Sequence, residues 1–147
     1  MKVCFDTSVL VAAMVEDHPD HDKSLDWLQK VAAKTLQAVI AAHTLAELYA
    51  VLTVLPVRPR LDPDTVMTLL TTNVSSNFEV VGMTKRDYLS VLEMLADRQI
   101  TGGATYDGLI AWAALKTKAD LLLTLNPKHF SRLLLPGSRV TVRSPYE

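Results

Sequence analysis

A chain of 147 residues, 49% hydrophobic and 21% charged, fits one domain spanning 1–147 whose core needs no disulfide or metal staple. The formal net charge of −1 gives no bulk attraction to nucleic acid, though it says nothing of local patches. No uninterrupted stretch nears the roughly 20 apolar residues of a membrane span. The single cysteine, Cys4, has no partner in the chain, so a reducing, cytoplasmic setting is expected.

Lys2-Val3-Cys4-Phe5 reads as a buried strand ending at Asp6, with a helix from about Thr7 to Val15. Asp6 interrupts the apolar residues here and no basic leader or cleavage pattern accompanies them, so no secretory signal is expected. Glu16 to Asp20 breaks the helix. The next one carries Leu25, Leu28, Val31 and Ala32 at helical spacing. Ala38–Ala41 reads as a second strand, and a helix runs from Thr44 to about Thr53. Three prolines make 56–63 a loop, and Asp64 then opens a helix with Val66, Leu69 and Leu70. Phe78–Val81 reads as a third strand. Thr84 caps a helix with Tyr88, Val91, Leu92 and Leu95. Gly102-Gly103 turns the chain into a helix over about 105–116. Leu121–Leu123 is a fourth strand and Val140–Val142 a candidate fifth. Strands alternating with helices predict a three-layer α/β/α domain with a central parallel sheet of four to five strands.

Ligands in such sheets collect outside the carboxyl ends of the strands, where Asp6 and Asn126 fall. Asp6 reads either as the cap of the following helix or as a site carboxylate. Glu47 has Ala50, Val51 and Val54 on its own helix face, while Leu45, Leu48, Tyr49 and Leu52 make a larger stripe. It is either solvated or turned inward. Asp107 heads a segment, Leu109–Leu115, that is apolar on every side and therefore expected to be buried. A carboxylate there serves the helix dipole, or else is paired, protonated or metal-bound. Asn126 precedes Pro127, an ordinary turn signal. As a site residue it would be a neutral oxygen ligand or a water-orienting amide. Thr7, Ser8 and Thr124 are hydroxyl residues at the same strand ends, each a cap or a site residue.

A hard cation accounts for all three acids together. Close carboxylates repel by about 4 kcal/mol per pair at an effective dielectric near 20, and Mg²⁺ or Mn²⁺ removes that penalty with oxygen ligands. Zinc fits less well, for want of a cysteine or close histidine pair. His18 and His21, among Asp17, Asp20 and Asp22, read as a solvated connection rather than a metal cluster. His43 and His129 read as capping or surface residues near the pocket rim. Trp27, Trp112 and the methionines fit a core or a partner surface. Leu48, Tyr49, Leu52 and Trp112 suggest more apolar surface than one domain can bury.

The ordered fragments Phe5-Asp6-Thr7-Ser8, Ala46-Glu47-Leu48, Gly102 to Asp107 and Leu123 to Pro127 together resemble the PIN-domain family. More narrowly they resemble its VapC-type toxin ribonucleases, over essentially the whole chain. The resemblance implies a metal-dependent endoribonuclease, with Asp6, Glu47 and Asp107 as metal-binding and catalytic acids around Mg²⁺ or Mn²⁺. Asn126 falls where many relatives carry a fourth acid; the departure removes one negative charge and weakens the case for a firmly bound second metal, leaving one ion or two open. An RNA substrate, a homodimer and a cognate antitoxin covering the site are implied as well. Arg58, Arg60, Lys85, Arg86, Lys128 and Arg132 are available for phosphates. Two rivals stand beside this expectation: a catalytically inactive PIN-like binding module, and a Mg²⁺-binding receiver-like signalling domain.

Overall fold

In strand β1 (Lys2–Phe5) successive side chains point to opposite faces, so Val3 and Phe5 enter one core and Cys4 the other. The same split recurs in β2 (Gln37–Ala41) and β4 (Leu121–Leu123), where every residue after Gln37 is buried. Strands buried on both faces belong to a parallel sheet covered by two helical layers. The computed structural model describes residues 1–147 and has that architecture. β3 (Glu79–Val81) and β5 (Thr141–Arg143) complete a five-stranded, all-parallel sheet in the order β3-β2-β1-β4-β5.

One layer holds α1 (Thr7–Met14), α2 (His21–Ala32), α3 (Ala42–Leu52) and α4 (Pro63–Leu69), packed on Val3, Phe5, Ile40 and Leu123. Trp27 lies in this core, and Phe5 meets Phe78 edge-on with ring centroids 5.1 Å apart. The other layer holds α5 (Lys85–Asp97), α6 (Ala104–Lys116) and the short α7 (Pro127–Phe130), packed on Cys4, Val39 and Leu122. Burial, and then the charge of Asp6, push the Cys4 thiol up to about 12. It is therefore an inert core residue.

Several boundaries differ from the sequence expectation for local reasons. The helix after the proline loop begins at Pro63, not Asp64, because Asp62 is its cap and accepts from the Thr65 N–H at 2.9 Å. After α4 the chain continues through a π-helical turn, 70–75, that sequence periodicity did not signal. Thr84 caps α5 as expected, in a reciprocal box with Asp87. The apolar stripe of α5 splits: Val91 and Leu95 are buried, whereas Tyr88, Leu89 and Leu92 are exposed. Leu48 and Leu52, expected to contribute to an apolar surface, are fully buried instead.

The strand order changes direction beside β1, since the chain first builds β2 and β3 on one side and later β4 and β5 on the other. The crevice between the carboxyl ends of β1 and β4 is thus the topological switch point, where α/β sheets bind ligands. The order also differs from the 2-1-3-4-5 arrangement of receiver domains, which removes that rival.

Candidate active site

Register brings the first two groups together. Phe5 pairs with Leu123, so Asp6 and Thr124 leave the sheet side by side. Asp6 occupies the cap position of α1, yet its side chain makes no capping hydrogen bond. Instead Oδ2 accepts from Thr124 Oγ1 and from Ser8 Oγ, both at 2.7 Å. These hydroxyls are aimed in turn: Leu125 N–H donates to Ser8 Oγ at 3.1 Å and Asn126 N–H to Thr124 Oγ1 at 3.0 Å. The carboxylate, 6% exposed, is therefore clamped on one oxygen by a relay that reaches back to the β4 backbone.

Glu47 comes from α3 and Asp107 from the first turn of α6. Asp6, Glu47, Asp107 and Asn126 all line one cavity of about 500 Å³ outside the switch point, with Thr7, Ser8 and His129 beside them. The side chains of Glu47 and Asp107 are 30% and 26% exposed. Burial, and then the charges of Asp6 and Asp107, push the Glu47 carboxyl up to about 7. Burial and Asp6 push Asp107 up to about 6, against the pull of His129. The acids thus repel one another across a partly desolvated space, and their mutual effect on protonation is the electrostatic signature of the site.

His43 Nε2 stands 3.2 Å from Glu47 Oε1, but off hydrogen-bond alignment, since Oε1 is buried without a hydrogen-bond partner. Thr7 Oγ1 is close enough to oppose the rise at Glu47, yet it too has no hydrogen bond of normal geometry. Both are buried oxygens without partners, on residues that line the same cavity. His129 Nδ1 is 3.8 Å from Asp107 Oδ2, a loose pairing of an exposed ring. Asn126 precedes α7, but its side chain makes no capping bond.

An all-oxygen donor set with orphaned acceptors suits a hard divalent cation such as Mg²⁺ or Mn²⁺. No three acid, histidine or cysteine side chains close on a single point as they lie, but Asp6, Glu47 and Asp107 border the same cavity. Asp6, Glu47 and Asp107 are the residues that could hold the ion.

Two polar cavity-lining residues fall outside the expected set. His18 and Asp20 line the same cavity, because the segment after α1 folds back along it. Its geometry is fixed by the Asp20 N–H, which donates to His18 Nδ1 at 3.1 Å, and by Tyr146 Oη–H, which donates to Asp20 Oδ1 at 2.6 Å. His21 does not join them, its Nδ1 lying 2.9 Å from the Ala12 carbonyl. None of Arg58, Arg60, Lys85, Arg86, Lys128 and Arg132 lines the cavity.

A PIN domain profile matches residues 3–133. Ribonuclease VapC40 of Mycobacterium tuberculosis is 36% identical over 117 residues, 80% of this chain and 81% of that protein. Ribonuclease VapC27 of the same species is 36% identical over 116 residues, 79% of each chain. The crystal structure of VapBC2 from Rickettsia felis, bound to a DNA fragment from its promoter, superposes with a TM-score of 0.66. It is 22% identical and covers 98% of both chains, a likeness of fold.

Proposed function

The chain belongs to the PIN domain family, and from that membership we propose that it is an RNA-hydrolysing toxin of a toxin–antitoxin pair, dependent on Mg²⁺ or Mn²⁺. The observation that carries the reading is the convergence of Asp6, Glu47 and Asp107 on one cavity at the switch point. The ribonuclease relatives at 36% identity supply the substrate class.

When bound, the ion supplies an activated water and neutralises charge on the phosphoryl group. Asp6 would hold the ion through the oxygen that Ser8 and Thr124 leave without a hydrogen bond. Asp107, from α6, would be a second ligand, and Glu47, from α3, would help bind it or orient its waters. Asn126, uncharged and with a side chain free of hydrogen bonds, positions water or substrate from the β4 side. The cleaved bond is the P–O bond of an RNA phosphodiester, with water adding in line with the leaving oxygen.

The proposal includes a cytoplasmic homodimer and an antitoxin whose segment covers the cavity. No helix is long and apolar enough to cross a membrane, and the exposed Tyr88, Leu89 and Leu92 give α5 an apolar face for association. The decisive experiment incubates antitoxin-free protein with RNA, with and without EDTA. Cleavage that EDTA abolishes and Mg²⁺ or Mn²⁺ restores supports the enzyme. A folded, dimeric chain that leaves every RNA intact under both conditions supports the inactive binding module instead.

A further inference from the structure

Beside the carboxylates two aromatic rings lie face to face. The His43 and Tyr106 centroids are 4.8 Å apart with planes only 6° from parallel. Each ring is tied to an acid of the site: His43 Nε2 approaches Glu47 Oε1 at 3.2 Å, and Tyr106 immediately precedes Asp107 in the first turn of α6. Tyr106 is nevertheless 51% exposed. A ring stacked on one face and half exposed presents its other face to solvent. Core packing does not account for such a placement, because an aromatic side chain carries a large apolar surface that burial would favour.

The surroundings restrict what this face can bind. The cavity is lined by acids and by no lysine or arginine, and the whole chain carries a net charge of −1. Phosphate attraction within the pocket is therefore weak without a cation, and binding has to draw on uncharged contacts. A nucleotide whose phosphate sits at Asp6 and Asp107 carries its base one sugar away, a reach that includes Tyr106, the residue before Asp107 in α6. Stacking on an aromatic face requires an unpaired base and accepts any of the four. We propose that Tyr106, held flat by His43, is a nucleobase-stacking platform beside the acids, the residue that receives one unpaired base of a bound RNA. The inference rests on the nuclease reading for the placement of the phosphate, but its test does not depend on cleavage.

Binding of a single-stranded RNA of about ten nucleotides, a length such grooves accommodate, is measured by fluorescence anisotropy at low salt in Ca²⁺, a hard cation that can hold a phosphate beside the acids. Tyr106→Phe keeps the ring and is expected to bind within about twofold of wild type. Tyr106→Leu removes it and is expected to weaken binding about 5- to 150-fold, the usual worth of one stacked base. Both variants should melt at the wild-type temperature. On an oligomer of equal length lacking its bases, wild type and Tyr106→Leu should bind alike. The platform is overturned by equal binding of wild type and Tyr106→Leu, by an equal loss in Tyr106→Phe, or by the same loss on the base-free oligomer. It is overturned too if the wild type binds no single-stranded RNA. Base-dependent binding without cleavage in Mg²⁺ would keep the platform and sink the nuclease. Cleavage with RNA binding that Tyr106→Leu leaves unchanged would do the reverse.

Discussion

Thr124 and Asp6, 118 positions apart, share a buried 2.7 Å hydrogen bond that exists only because β4 lies in parallel register against β1. The hydroxyl donates to Oδ2 and receives the Asn126 N–H. It therefore fixes the acid's orientation from a residue that never faces the substrate. Thr124→Val keeps shape and removes the hydroxyl. Supporting groups of this kind usually carry 10- to 100-fold in metal affinity or activity, and RNA cleavage and Mg²⁺ affinity should both fall by about that much. Thr124→Ser should retain most of both. Equal losses in the two variants would mean that packing, not the hydrogen bond, is what Thr124 contributes.

The burial of the acids, and after it their mutual repulsion, predicts how stability follows pH. Glu47 is raised from 4.5 to about 7 and Asp107 from 3.8 to about 6, so between those values the folded protein binds more protons than the unfolded chain. Stability contributed by these groups is then highest below about pH 4 and declines as pH rises towards 7. Asp62 and Asp87 are lowered by their hydrogen bonds and act oppositely at the acid end. The clean reading is thus the difference between wild type and Glu47→Gln. In EDTA, urea midpoints should show the wild type losing ground to the variant between about pH 4.5 and 7. Parallel pH profiles would show that the fold does not raise the Glu47 carboxyl.

Metal should act in the opposite direction. A cation that binds only the folded protein stabilises it by mass action, so Mg²⁺ or Mn²⁺ should raise the melting temperature at pH 7. Asp107→Asn should melt at a higher temperature than wild type in EDTA, with one repelling charge gone, and should respond less to metal. A metal-induced shift of equal size in both proteins would remove Asp107 from the ligand set.

The apolar face of α5 predicts association. Tyr88 and Leu92 are one helical turn apart with Leu89 beside them, all exposed, a spacing that makes a continuous stripe. Light scattering at micromolar concentration should give a dimer, and Leu92→Glu should shift it towards monomer without lowering the monomer's helix content. A wild type that is monomeric throughout would count against the dimer.

Much of this architecture was legible because its signals are local. Buried strands such as Lys2–Phe5 and Leu121–Leu123 announce themselves as short apolar runs, and their alternation with helices fixes the parallel sheet. Among the acids only Asp107 stood out by itself, at the head of a helix apolar on every side; Asp6 read equally as a helix cap and Glu47 as a solvated side chain. What sequence could not supply was direction. Asp6 has the position of a helix cap, and only the β1–β4 register shows its side chain turned to Ser8 and Thr124. Leu48 and Leu52 looked like partner surface until α4 and the π-helical turn packed over them. His18 and Asp20 reached the cavity through a fold-back held by Tyr146, a contact spanning 126 positions.

The sharpest prediction separates enzyme from scaffold at Asp6. Asn in its place keeps a carbonyl oxygen that can accept both hydroxyl bonds, with its amide nitrogen turned to the cavity, so folding should be nearly undisturbed. A little stability should even be gained in EDTA, because a carboxylate that repels Glu47 and Asp107 has gone. The cation, however, loses its most rigidly held anionic ligand. The expected result for Asp6→Asn is a fall in RNA cleavage of more than about a hundredfold, beyond what supporting groups usually carry, with an unchanged circular dichroism spectrum. Expression of wild type without antitoxin should slow bacterial growth, and Asp6→Asn should not. EDTA-sensitive cleavage at the wild-type rate by a folded Asp6→Asn protein would take Asp6 out of the site. The clamp by Ser8 and Thr124 would then be a structural tie between β1 and β4, and nothing more.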